Sequence, residues 1–160
     1  MSNLEKKLDI LMQVVLAEDE DQRRKARAEL RQIAKEAAVP VADDPEPVIR
    51  EIMTDLGMPE HIKGHRFTVK AVMLALGKPE IIDAITKELY PEVGDAFGTT
   101  ASRVERAIRH AVEVTWGRGD YDTLVRYFGN TISISKGKPT NSEFITRIAN
   151  IVQMRMKEAA

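Results

Sequence analysis

None of the 160 positions is a cysteine. That excludes a disulfide framework, a thiol nucleophile and a thiolate metal site. No window reaches the roughly 18 uncharged apolar residues that a bilayer span needs, and the opening MSNLEKKLD lacks the apolar core of a signal peptide. These absences point to the cytoplasm and away from a membrane. Strand-like alternation is scarce. TISIS (131–135) is the one short run of it, too short to found a sheet. No glycine-rich phosphate loop occurs, since GRGD is short of the Walker pattern. Ser, His and Asp are present, as in any chain of this size, but nothing poises one as a nucleophile. The expectation is therefore a non-enzyme without a cofactor.

What remains is a soluble, helix-rich composition, 43% hydrophobic and 31% charged. The formal net charge of -1 hides an asymmetry. Residues 1–46 carry 8 Lys/Arg against 11 Asp/Glu, and residues 47–160 carry 16 against 14. An anionic partner would have to be drawn by a local patch and not by the total.

Residues 3–38 read as helix. Leu4, Leu8, Leu11 and Val15 form one apolar stripe, and Ala26, Leu30, Ile33 and Ala37 form another. The two stripes allow either one helix or a hairpin broken near Asp19–Gln22. VPVADDPEP (39–47) has three prolines and three acids in nine residues and reads as a linker. After it, punctuation by proline, glycine and capping residues predicts successive helices. VIREIMTDL stops at Gly57. An irregular MPEHIKG follows. HRFTVKAVMLAL closes at Gly77, and Pro79 opens EIIDAITKELY. Pro91 opens a short EVGDAF closed by Gly98. Thr100 can cap a long helix to Trp116–Gly117, and Asp120 caps YDTLVRYF. Thr140–Glu143 is a capping box for FITRIANIVQMRMK. The expected architecture is all-α. It comprises an N-terminal helical segment (1–38), a linker (39–46) and a six-helix, bundle-like domain (47–160) containing a helix-turn-helix.

The long helix carries the chemistry. On a 3.6-residue spiral Val104, Ile108, Ala111, Val112 and Thr115 share one face, and Ser102, Arg103, Glu105, Arg106, Arg109, His110 and Glu113 the other. The preceding short helix offers Val93 and Phe97 as apolar contacts and Gly94 for close approach. A short helix, a glycine turn and a longer helix make a helix-turn-helix pattern, whose second helix enters the major groove with its first turns at base edges. Those turns carry Arg103, Glu105 and Arg106. Arg suits guanine O6 and N7 in a bidentate fork, and Glu can accept from cytosine N4. Arg109 and His110 lie a turn later, nearer phosphates, with Thr100 and Ser102 at the helix start. The competing reading is a solvated face whose arginines pair with Glu105 and Glu113.

TTASRVERAIRHAVEV (99–114), followed by W-x-RG, closely resembles the C-terminal effector domain of the stage-zero sporulation response regulator A of endospore-forming bacteria. GMPEHIKG (57–64), ITKELYP (85–91) and KPTNSEFI (138–145) extend the likeness over roughly residues 47–157. The resemblance implies a six-helix transcription factor domain binding double-stranded DNA. In it the positions matched by Arg103 and Glu105 touch bases, and those matched by Arg106 and Arg109 touch bases or phosphates. It also implies a contact with the sigma subunit of RNA polymerase over 119–132, with Gly119, Tyr121, Thr123, Phe128 and Ile132 as candidates, although GDYDTLVRYFGNTI departs from the family there. Lys136 and Lys138 would add phosphate contacts from the loop ISKGKPT.

The family joins this domain to a phosphorylated receiver. Here some 46 residues stand in that place. VVLAEDED (14–21) echoes a receiver's first strand and acidic pair, but the expectation is of no working receiver and no dependence on its phosphorylation. An amphipathic stripe that cannot bury itself needs a partner. Residues 3–38 are therefore expected to build a homodimer, with docking on the effector domain, or on another regulator without DNA contact, as rival readings. HIKGH (61–65) has histidines four apart but no third ligand, so no metal is expected. Met53, Met58, Met73, Met154 and Met156 read as core filler and Trp116 as a core anchor.

Overall fold

The computed structural model describes residues 3–16, 19–36, 44–129 and 137–159. Among them every regular element is helical, and no helix is long and apolar enough to cross a membrane. Contacts divide the chain into two compact units, Met1–Asp44 and Pro45–Ala160.

The first unit is a helical hairpin of α1 (Asn3–Leu16) and α2 (Glu20–Glu36), packed on each other. The break is chemical. The Asp19 carboxylate accepts the backbone N–H of Gln22 at 2.8 Å, capping α2. Asp19–Asp21, within the run that echoes a receiver motif, are thus a helix start. Ile10 and Ala26 are buried between the helices. Leu8, Leu11, Met12 and Leu16 are not, and Leu16 is 70% exposed. The side chains of Leu4 and Val15, and all of Ala37, lie outside the described residues.

The second unit contains α3 (Glu46–Leu56), α4 (Lys63–Gly77), α5 (Tyr90–Phe97), α6 (Ala101–Arg118), α7 (Tyr121–Phe128) and α8 (Asn141–Ala159). Ile49, Ile52, Met53 and Leu56 recur at helical spacing and are buried, as are Phe144, Ile145, Ile148, Ala149 and Val152 of α8. Each large side chain sealed this way contributes about 1.5–3 kcal/mol. α4 is central, packing on α3, α5, α6 and α8. A polar tie closes the far side. The Tyr127 hydroxyl donates to Asp55 at 2.8 Å and accepts from Arg155 at 2.9 Å, while Arg147 Nε donates to the Tyr127 carbonyl at 2.6 Å.

Three expectations need correction. α4 begins at Lys63 and so includes Gly64, which sequence reasoning had placed in an irregular piece. EIIDAITKELY is not one α-helix but a tight 3₁₀ segment (Pro79–Ala84) and a wide π turn (Ile85–Leu89) that runs into α5. Met154 is 58% exposed and fills no core, whereas Met53 and Met58 are buried. TISIS and most of the 39–46 linker lie outside the described residues.

Candidate nucleic-acid interface

α5, its turn and α6 form the predicted helix-turn-helix. Gly98 ends α5 at φ +66°, a left-handed conformation that disfavours any residue with a Cβ. The Thr99 N–H then donates to the Gly94 carbonyl at 2.9 Å. A Cβ on Gly94 would stand 2.7 Å from the Thr99 carbonyl oxygen, so glycine lets this turn close. Thr100 is extended, and its hydroxyl accepts the Arg103 N–H at 3.3 Å, starting α6.

The back of α6 is fixed by its neighbours. Val104, Ile108, Ala111, Val112 and Thr115 are all buried. Gly64 of α4 meets it with no side chain between them: a Cβ there would fall 2.1 Å from the Ala107 carbonyl oxygen. Trp116 is half-buried and stands edge-on to Phe128, with centroids 5.1 Å apart. At the start of α8 the Asn141 amide donates to the Glu105 carbonyl at 3.2 Å and to the Tyr90 hydroxyl at 3.0 Å. Burial raises the Tyr90 phenol, and the Asn141 bond opposes that.

The outward face is divided electrostatically. Ser102, Arg103, Arg106, Arg109 and His110 are exposed and Glu105 is half-buried. Arg109 pairs with Glu105 at 3.5 Å, and Lys138 pairs with Glu113, whose carboxyl the lysine's hydrogen bond holds below its ordinary range. Arg103 and Arg106 have no ion pair among the described residues. The solvated-face reading thus holds for Arg109 with Glu105; Glu113 takes a lysine in place of an arginine, and at the first turns two guanidinium groups remain open.

Other predicted positions scatter. Lys136 and Ile132 lie outside the described residues. Phe128 is fully buried, stacked 5.4 Å from Phe144, so it is a core residue and no polymerase contact. Gly119 is a packing glycine, since a Cβ there would sit 2.7 Å from the Thr115 carbonyl oxygen and 3.0 Å from that of Leu56. Asp120 caps α7, its carboxylate accepting the Thr123 N–H at 3.1 Å and the Thr123 hydroxyl at 3.0 Å. Tyr121 is 64% exposed.

The two histidines of HIKGH part company. His61 is exposed, whereas His65 is buried with its Nε2 unpartnered. Burial, aided by Arg50 and opposed by Glu60, lowers the His65 pKa. Among the described residues no three His, Asp or Glu side chains gather as a metal site.

Sequence reasoning missed Lys63, Arg66 and Phe97 as neighbours of Arg103 and Arg106 around one open groove. Arg66 lies over the Phe97 ring at 5.4 Å and over the Phe67 ring at 5.7 Å. Gly64 was the available signal: a glycine at the start of an apolar helix marks close approach to another backbone.

An all-α unit whose helix-turn-helix buries one side of its second helix, and leaves arginines open on the other, has the form of a DNA-binding regulatory domain. The particular family follows from comparison with known ones. Residues 49–152, well over half of the chain, match the family described as "Sporulation initiation factor Spo0A C terminal". The chain belongs to this family of DNA-binding sporulation effector domains, and its domain is a transcription-regulatory one.

Proposed function

We propose that this chain is a sequence-specific transcriptional regulator whose α6 enters the major groove and acts without receiver phosphorylation. Arg103, Glu105 and Arg106 face base edges. Thr100, Ser102, Arg109, His110, Lys136 and Lys138 face phosphates. Residues 47–160 form the reader, and 3–38 bring in a second copy. One observation carries the reading: the first turns of α6 expose two guanidinium groups that no carboxylate among the described residues pairs with, on a helix whose opposite side is locked into the core. Such a fork is free to engage guanine, and a half-buried glutamate between them penalises indiscriminate phosphate attraction.

The test is selection of sites from random duplexes, followed by titration of the selected and scrambled sequences. Arg103→Ala should cost about 1–3 kcal/mol on the selected duplex and blur one base position. Equal affinity of the intact chain for both duplexes would refute sequence reading.

Self-association is supported by the exposed Leu8, Leu11, Met12 and Leu16, in a helix with no charge from Ile10 to Leu16. Tandem sites would reward such pairing. The same stripe supports a second reading, in which the hairpin binds another regulator and DNA contact is secondary; Arg103→Ala would then be without effect. Tyr121, exposed at the start of α7, is the surface through which a sigma subunit would be met.

A further inference from the structure

Four cations surround the groove between the first turn of α4 and the start of α6: Lys63 and Arg66 on one wall, Arg103 and Arg106 on the other. No acid lines it, and none of the four forms an ion pair among the described residues. Lys63 with Arg66, and Arg103 with Arg106, are like charges three apart on a helix, each pair costing about 0.2–0.5 kcal/mol. Nothing in the fold requires that arrangement, because the two helices are already joined behind it by Gly64 against Ala107 and Ala111. Phe97, 37% exposed, is a platform on which the Arg66 guanidinium rests, which limits its freedom before any partner arrives. The groove is open, and its cations face each other across it. It suits an extended chain of negative charge, not a small enclosed anion.

We propose that Lys63 and Arg66 clamp phosphates of the DNA strand running along this groove, beside the bases that α6 faces, and that Phe97 is a positioning residue for Arg66. The inference rests on the DNA-reading role proposed for α6. It adds a second, sequence-independent wall from a different helix. Each phosphate neutralised changes the slope of log K against log salt by about 0.9. Contacts of this kind set affinity and register without choosing bases.

The experiment titrates the full chain against the selected and a scrambled duplex by fluorescence anisotropy, across roughly 50–200 mM salt. The double variant Lys63→Ala/Arg66→Ala should reduce the magnitude of the salt slope by roughly 1 to 2. It should weaken both duplexes by a similar factor and keep their affinity ratio. Phe97→Leu, with all cations intact, should give a smaller loss in the same direction. Lys87→Ala/Lys157→Ala removes the same charge from sites outside the groove and should leave the slope nearer that of the parent; circular dichroism confirms that each variant folds. An unchanged slope in the groove variant overturns the proposal, as does an equal fall in the Lys87/Lys157 variant or a loss confined to the selected duplex. A parent chain that does not discriminate between the duplexes refutes the α6 reading instead, while the slope still reports on the clamp.

Discussion

Gly64→Ala sets two principles against each other. By propensity, alanine is favoured over glycine by up to about 1 kcal/mol, the helix-interior value, which Gly64 in the first turn of α4 approaches only from below, so α4 should gain. By packing it should lose. The new Cβ would lie 2.1 Å from the Ala107 carbonyl oxygen and 2.6 Å from the Ala111 Cβ, whereas ordinary contact begins at 3.4 Å. The shortfall exceeds 1 Å and falls mainly on backbone, which cannot turn aside as a flexible side chain could. Nor can Gly64 move freely, because its carbonyl accepts the buried Thr68 hydroxyl at 2.6 Å. Inserting one carbon into a tight core costs about 1–3 kcal/mol, and a backbone obstacle puts this site at the upper end. Subtracting the propensity gain leaves about 2 kcal/mol of destabilisation. At roughly 4 °C per kcal/mol for a unit of this size, Tm should fall by roughly 8 °C. Thermal unfolding followed by circular dichroism reads this directly. Gly117→Ala is the companion control. That glycine lies in α6 with open space where a Cβ would go, so propensity alone should raise stability by up to about 1 kcal/mol. A Gly64→Ala chain as stable as the parent, or more so, would refute the close approach on which the spacing of α4 and α6 depends.

Two further outcomes follow from burial. His65 has its pKa lowered, so between that value and the ordinary 6.5 the unfolded chain holds more protons than the folded one. Its contribution to stability is fully present above pH 6.5 and is lost as pH falls below it; denaturant midpoints measured from pH 8 to 5 should show a fall that His65→Gln reduces, and a profile identical in the two proteins would contradict the assignment. On the hairpin, Leu11→Lys/Leu16→Lys replaces exposed apolar side chains with charge. Sedimentation at micromolar concentration should move from dimer to monomer without loss of helicity, and a parent chain that sediments as a monomer would dismiss the second-copy role.

The periodic parts of this fold were legible because they depend on one helix at a time. The buried side of α6 is the one its 3.6-residue repeat marks, and Thr100, Asp120 and the Thr140–Glu143 box all cap as their residue types predict. The misreadings share another cause: contact between segments far apart in sequence. Gly64 looks like a helix breaker until Ala107 is seen against it. Phe128 and Tyr121 both lie on a strongly amphipathic short helix, and only the rings of Trp116 and Phe144 show which of them is inside. The wide turn before α5 reflects local chemistry of a subtler kind. Pro91 has no N–H for the preceding turn, and the Tyr90 N–H reaches back to the Ile85 carbonyl. The groove cations were hidden for the same reason as Gly64: Lys63 and Arg66 become neighbours of Arg103 and Arg106 only through helix packing.

These contacts separate what holds α6 from what α6 offers. Gly64, the Gly94 turn, Asn141 and the Trp116–Phe128 pair all grip its back or its ends. Arg103 and Arg106 extend from the front into solvent, where substitutions ordinarily change stability by less than about 0.5 kcal/mol. Substitutions at those two positions therefore leave the fold nearly untouched. Glu105 is the exception, because it belongs to both sides. Its carbonyl anchors Asn141 of α8, and its carboxylate occupies Arg109. Removing that carboxylate would keep the anchor but release a third guanidinium beside Arg106, adding attraction for any phosphate whatever its sequence. On the reading proposed for α6, the glutamate limits how much of the helix's positive charge is available to DNA in general, and so how far recognition would depend on the two arginines at its start.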